Sequence, residues 1–176
     1  MEQCELCGQR EGVREAAVYL DGEKKTVPVC APCVYAVSYT HLDVYKRQGV
    51  QVVMDFSVFS EDPEYQCETL FPYVDYVFLS YDGKKDEHIK EWVKKIHSYG
   101  PKLVTATMGE LGSICYDGTT LYEYGIVPTE VVNTVGAGDS YIAGFTYGIL
   151  NGWSVPECMK KGAEVSSAVV ARFEPY

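Results

Sequence analysis

A glycine-rich turn that runs straight into a helix-forming stretch constrains this chain more than any other feature. It reads Asn133-Thr134-Val135-Gly136-Ala137-Gly138-Asp139, followed by SYIAGFTYGILNG. Glycines at 136 and 138 allow the backbone to turn tightly and to bare its N–H groups. The helix that follows adds the positive end of its macrodipole. Together they predict an anion hole for a phosphoryl group. Asp139 falls in the first turn, beside the point where an acceptor hydroxyl would meet a γ-phosphate. A carboxylate there can take the hydroxyl proton as general base. The plainer alternative is a glycine-rich helix start in which Asp139 only favours the dipole. The sequence holds no GxxxxGK[ST] run, so a Walker P-loop is excluded.

Residues 49–176 carry an α/β rhythm. GVQVVMDF reads as a buried strand, PEYQCETLFPYV as a short helix opened by Pro63, and DYVFLS as a second strand. KKDEHIKEWVKKIHSYG is an amphipathic helix in which Ile89, Trp92, Val93 and Ile96 share a face and Gly100 is the stop. KLVTATMG is a third strand, SICYDGTTLYEYG a hairpin around Asp117-Gly118, and PECMKKGAEVSSAVVARF a final helix. Strands alternating with helices predict an α/β fold with a doubly wound, mostly parallel sheet.

The run N-T-x-G-A-G-D-x3-A-G-F resembles the C-terminal signature of the PfkB (ribokinase-like) carbohydrate kinases. That resemblance implies Asp139 as the catalytic base, with the amides of Gly136, Ala137 and Gly138 holding the transferring phosphoryl group. Thr107-Met108-Gly109-Glu110-Leu111-Gly112-Ser113 is similar to the family's T-L-G-x-x-G segment, which borders the nucleotide. It implies nucleotide contacts at Thr107, Gly109, Gly112 and Ser113; taken alone, the segment is a strand-to-strand turn. The order VVMDFS, FPYVDYVFLS, TATMGELGSICYDG, NTVGAGDSYIAGFTYG resembles the fructoselysine 6-kinase branch. The resemblance implies ATP and Mg2+ as cofactors and a sugar or sugar-amine (fructosamine) as acceptor.

It also implies the C-terminal half of a ribokinase-like three-layer fold. The half that supplies the lid, most of the sugar pocket and the central strands is not matched. A feebly active fragment follows, with an exposed sheet edge that leads to a homodimer or to aggregation. Two departures stand out. Many members carry Asn-x-x-Glu where this chain has Ser80-Tyr81-Asp82-Gly83, which leaves Asp82 or Asp86 as stand-ins or as helix-start charges. Asn133 stands where the family often has Asp near a monovalent cation, so that ion is left open. Asp55, at the end of a strand, is a further candidate.

Residues 1–36 differ in kind. Cys4-x2-Cys7 and Cys30-x2-Cys33 are separated by 22 residues, a spacing that suits a tetrahedral zinc site. AAVYL, Asp21-Gly22 and TVPV between them read as a hairpin. The segment resembles a small zinc ribbon. VSYTHLDVYKRQ, residues 37–48, resembles translated adapter sequence, which implies a chimera; the alternative is an ordinary linker. The organisation expected is therefore 1–36, 37–48 and 49–176. A second function remains open: a zinc-binding interaction module fused to a non-catalytic nucleotide-binding fragment.

Charge narrows the partners. The net charge is −10, of which residues 50–176 carry −9, and this argues against broad nucleic-acid binding. No apolar run approaches the ~20 residues of a membrane helix. The polar start MEQCELCGQREG is unlike a signal peptide, so a cytoplasmic location is expected. His88 and His97 are expected at the surface, and Cys67, Cys115 and Cys158 as buried small hydrophobes.

Overall fold

The computed structural model describes residues 14–20, 23–29, 48–58 and 70–173. They fall into two units. One lies within Met1–Val52 and Ser60–Asp75, the other within Val53–Phe59 and Tyr76–Tyr176.

In the first unit, β1 (Arg14–Leu20) pairs antiparallel with β2 (Glu23–Val29); the expected turn at Asp21-Gly22 lies outside the described residues. The carboxylate of Asp75, 2% exposed, accepts from Val52 N–H at 2.9 Å. Asp75 N–H returns a bond to the Val52 carbonyl at 2.9 Å, so this buried acid is satisfied by backbone. The helix expected over 63–74 falls mostly outside the described residues; its described end holds a short 3-10 turn, Phe71–Tyr73.

The second unit is built on a five-stranded sheet in the order β3 (Val53–Val58), β4 (Tyr76–Ser80), β5 (Leu103–Thr107), β6 (Ser113–Tyr116), β7 (Leu121–Tyr124). The β3–β4 and β4–β5 pairings are parallel; β5–β6 and β6–β7 are antiparallel. The sheet is thus mixed. Its parallel part ends at Thr107, because the short turn at Gly109–Leu111 can only return the chain antiparallel.

Side chains alternate across this sheet and so build two cores. Tyr76, Phe78 and Cys115 face helices α2 (Ala137–Leu150) and α3 (Val155–Val170), packing with Tyr141, Phe145, Cys158, Met159 and Ala163. Phe78 meets Phe145 edge-on, with ring centroids 5.2 Å apart. Helix α1 (Glu87–His97) covers the opposite face with Ile89, Val93 and Ile96, each at most 1% exposed. Burial of a side chain of this size contributes about 1.5–3 kcal/mol. Trp92 is only half-buried, with Lys95 Nζ 4.3 Å from its ring centre.

The helices α2 and α3 approach unusually closely. A Cβ on Gly144 would lie 2.8 Å from the Lys161 carbonyl, so a side chain there would force the pair apart. This explains the glycine of the A-G-F triplet as a packing requirement. No helix among the described residues is long and apolar enough to cross a membrane.

Candidate active site

The site starts at the end of α3. The Val170 carbonyl accepts from Val132 N–H at 2.8 Å and from Asn133 N–H at 3.2 Å. The Asn133 side chain then bridges two segments. Its Oδ1 accepts from Val135 N–H at 3.0 Å, and its Nδ2 donates to the Phe173 carbonyl at 3.0 Å. Ala137 N–H closes a turn on the Thr134 carbonyl at 3.2 Å. The third residue of that turn, Gly136, has φ 77° and ψ 3°, left-handed backbone that costs any other L-residue about 1–2 kcal/mol.

Gly136 is also the residue from which α2 springs, and no side chain caps that helix. Ser140 bonds back to the Gly136 carbonyl through N–H (2.9 Å) and Oγ (2.6 Å). Among the described residues nothing accepts from the N–H groups of Gly138 and Asp139. A Cβ on Gly138 would meet no atom within 4 Å, so the backbone there is not packed over on its side-chain side. Asp139 is exposed beside them. Two free donors at the positive end of a 14-residue helix can receive an anion.

The second predicted segment follows β5. Thr107 Oγ1 lies 3.4 Å from the Leu79 carbonyl, to which it donates, and 3.4 Å from Ser80 Oγ. Gly109 (φ 52°) and Gly112 (φ 82°) bracket an exposed 3-10 turn, closed by Met108 N–H on the Gly112 carbonyl at 2.8 Å. Ser113 is 1% exposed, and its hydroxyl shares a 2.9 Å hydrogen bond with the Tyr141 hydroxyl. Its side chain therefore faces α2. Tyr141 follows Asp139 by two residues, so this one bond ties the Thr107–Ser113 turn to the helix carrying Gly138 and Asp139. Burial pushes the Tyr141 phenol well above its ordinary range, and it stays protonated as a hydrogen-bonding group.

Other candidates have structural duties. Asp55 Oδ1 accepts from Ser57 N–H at 2.8 Å. It stabilises a register break in β3, where Ser57 takes φ 58°. Asp86 caps α1, accepting from His88 N–H at 3.1 Å and Ile89 N–H at 3.5 Å. Of the two stand-ins for the absent Asn-x-x-Glu, only the exposed Asp82 carries no such duty. His88 is exposed, but His97 is half-buried and stacks edge-on against Tyr116 at 5.2 Å. Burial pushes the Cys115 thiol up to about 12 and also raises Cys158, so both stay protonated. Cys4, Cys7, Cys30, Cys33 and Cys67 lie outside the described residues. Among the described residues no cluster of three His, Cys, Asp or Glu could hold a metal. A surface depression of about 260 Å3 on α3 is lined by Trp153, Glu157, Lys160, Lys161 and Glu164. Its two lysines pair with Glu164.

Sequence reasoning missed Tyr141 and the double role of Asn133. Neither carries a periodicity or spacing signal, because their partners are distant in the chain.

Over residues 14–176 the sequence matches the family described as pfkB family carbohydrate kinase. The chain belongs to the PfkB family. Among curated relatives, the fructoselysine 6-kinase of Shigella flexneri is 35% identical over 122 residues, covering 69% of this chain and 46% of the relative. The fructosamine kinase FrlD of Bacillus subtilis is 34% identical over 136 residues, covering 72% of this chain and 47% of the relative. The ribokinase of Arabidopsis thaliana, solved with ribose and ATP, superposes with a TM-score of 0.63 at 26% identity, over 81% of this chain and 46% of that one. The fold of this PfkB chain is thus ribokinase-like. The chain spans about half the length of the curated relatives it matches. The family match begins at residue 14 and so runs through the β1–β2 hairpin and residues 37–48.

Proposed function

We propose that this PfkB chain binds ATP at the open start of α2 and directs its γ-phosphoryl group to a sugar hydroxyl, with a fructosamine such as fructoselysine as acceptor. The uncapped α2 terminus, tied to the Thr107–Ser113 turn by the Ser113–Tyr141 bond, carries the reading. The free N–H groups of Gly138 and Asp139 receive the phosphoryl oxygens, and the Gly136 turn holds them at a fixed angle. The Asp139 carboxylate takes the proton of the acceptor hydroxyl. That oxygen bonds to the γ-phosphorus as the bond to the β-phosphate oxygen breaks, and ADP leaves. Bound ATP supplies the phosphoryl group together with Mg2+. Mg2+ would neutralise charge on the phosphate oxygens, and among the described residues no cluster of three His, Cys, Asp or Glu is at hand to hold it.

The curated relatives named above motivate the choice of acceptor. Calorimetric ATP binding and turnover of fructoselysine test it. Asp139→Asn is expected to keep ATP affinity and to lower turnover by about 10²- to 10⁴-fold, the usual share of a general base. Native-like turnover in that variant would overturn the assignment. Activity of this chain alone is expected to be low. The outer strand β3, with Val53 and Val58 exposed, is expected to promote concentration-dependent self-association, read by light scattering.

A second property rests on one observation: β2 ends at Val29, directly before Cys30, so the β1–β2 hairpin lies between the two Cys pairs. We propose that Cys4, Cys7, Cys30 and Cys33 hold one structural Zn2+. Elemental analysis of purified chain decides it; no bound zinc rules it out.

A further inference from the structure

The loop leading into the phosphate-binding turn is latched to the end of α3 by donors alone. Val132 and Asn133 N–H occupy the Val170 carbonyl, and Asn133 Nδ2 occupies the Phe173 carbonyl. Chemistry fixes the orientation of the Asn133 amide. Val135 N–H can only donate and the Phe173 carbonyl can only accept, so Oδ1 must face the first and Nδ2 the second. The C-terminal end of a helix is a place of negative potential, where carbonyl oxygens attract cations. Here the Val170 carbonyl already accepts two N–H groups, one for each lone pair, and the Phe173 carbonyl accepts the Asn133 amide. These donors meet the carbonyls, so the residues present do not call for such an ion.

An aspartate at 133 would behave differently. It could still accept from Val135 N–H, but it could not donate to the Phe173 carbonyl. A carboxylate oxygen would then face a carbonyl oxygen, and the contact would need a cation between them. We propose that the Asn133 amide does the work a bound monovalent cation would do, so that the phosphate-binding turn assembles without one. Asn133 is thus a positioning residue. The proposal rests on the kinase reading only in taking ATP as the anion; the latch can be read without nucleotide.

The experiment compares native chain, Asn133→Asp and Asn133→Ala in potassium chloride and in tetramethylammonium chloride at equal ionic strength. Thermal midpoint and calorimetric ATP affinity are measured for each. The native chain is expected to give the same values in both salts. Asn133→Asp should bind ATP about five- to tenfold more weakly, with a lowered midpoint, in tetramethylammonium, as expected for one lost hydrogen bond to a closing turn. Potassium should restore both values, because an ion bound only by the folded state stabilises it. Asn133→Ala should be weakened in both salts. Potassium stimulation of the native chain overturns the proposal. So does Asn133→Asp that matches native in tetramethylammonium, or one that potassium fails to restore. A native chain that binds no ATP in either salt fails the kinase reading; the latch is then decided by the midpoints.

Discussion

Helices α2 and α3 are consecutive and packed together, yet they begin in opposite ways. Helix α3 opens with a closed network: Ser154 N–H and Oγ both donate to Glu157 Oε2, at 2.8 and 2.6 Å. Helix α1 is closed as well, by Asp86. Helix α2 starts from a left-handed glycine and has no side-chain cap. A cap contributes about 1 kcal/mol, so α2 forgoes a stabilisation that its neighbours take. It obtains its stability instead from packing, through Tyr141 and Phe145 in the main core. A local rule broken at one helix and kept at the others leaves donors of the kind the proposed ATP site needs.

Five measurements test this contrast. The largest effect is expected for Asp139→Asn, where turnover falls by about 10²- to 10⁴-fold while the thermal midpoint holds. Phe145→Ala should destabilise the chain by about 3–5 kcal/mol in denaturant titration, since packing and not capping holds α2. A loss below about 1 kcal/mol would mean that α2 is held by something else. Gly136→Ala forces a Cβ into φ 77°. It should cost about 1–2 kcal/mol and weaken ATP binding, read by calorimetry. Ser154→Ala should lower stability by about 1 kcal/mol and leave ATP affinity unchanged. If it weakens ATP as much as Gly136→Ala does, the two helix starts are not functionally distinct.

The smallest effect concerns acid. Hydrogen bonds from Ser154 side chain and backbone hold the Glu157 carboxyl below its ordinary 4.5. A lowered carboxyl stabilises the fold above its unfolded value, and that contribution is lost as pH falls through the folded value. The thermal midpoint of the native chain should therefore drop on acidification below pH 4.5, and Ser154→Ala, which lacks the cap, should show less of that drop. The start of α2 has no cap to lose.

Much of this was legible from local pattern. Asp139, Gly136 and Gly138 declare themselves because a turn with positive φ and bare amides needs those residues at that spacing. The hairpin around Asp117-Gly118 was equally plain. Although partial burial works to raise it, hydrogen bonds from Thr120, Thr119 and Tyr122 hold the Asp117 carboxyl at about 2, as suits an acid that organises its turn. The mixed sheet was less plain. Strand type follows from side-chain alternation, but which strands pair, and where the parallel part of the sheet gives way to the antiparallel part, follows from the packed order β3-β4-β5-β6-β7. Ser113 shows the same limit: its place in a nucleotide-bordering motif says nothing of Tyr141, 28 residues away.

Local sequence therefore determined the turn, the helix starts and the apolar faces, because each depends on residues within a few positions of one another. Tertiary structure alone decided that the two glycine-bearing segments are joined, through the hydrogen bond between Ser113 and Tyr141. It alone decided that the Asn133 amide reaches the Phe173 carbonyl, 40 residues on. The physical reason is the same in both cases. A hydrogen bond is specified by where its partner stands, and for distant partners only the packed fold sets that distance.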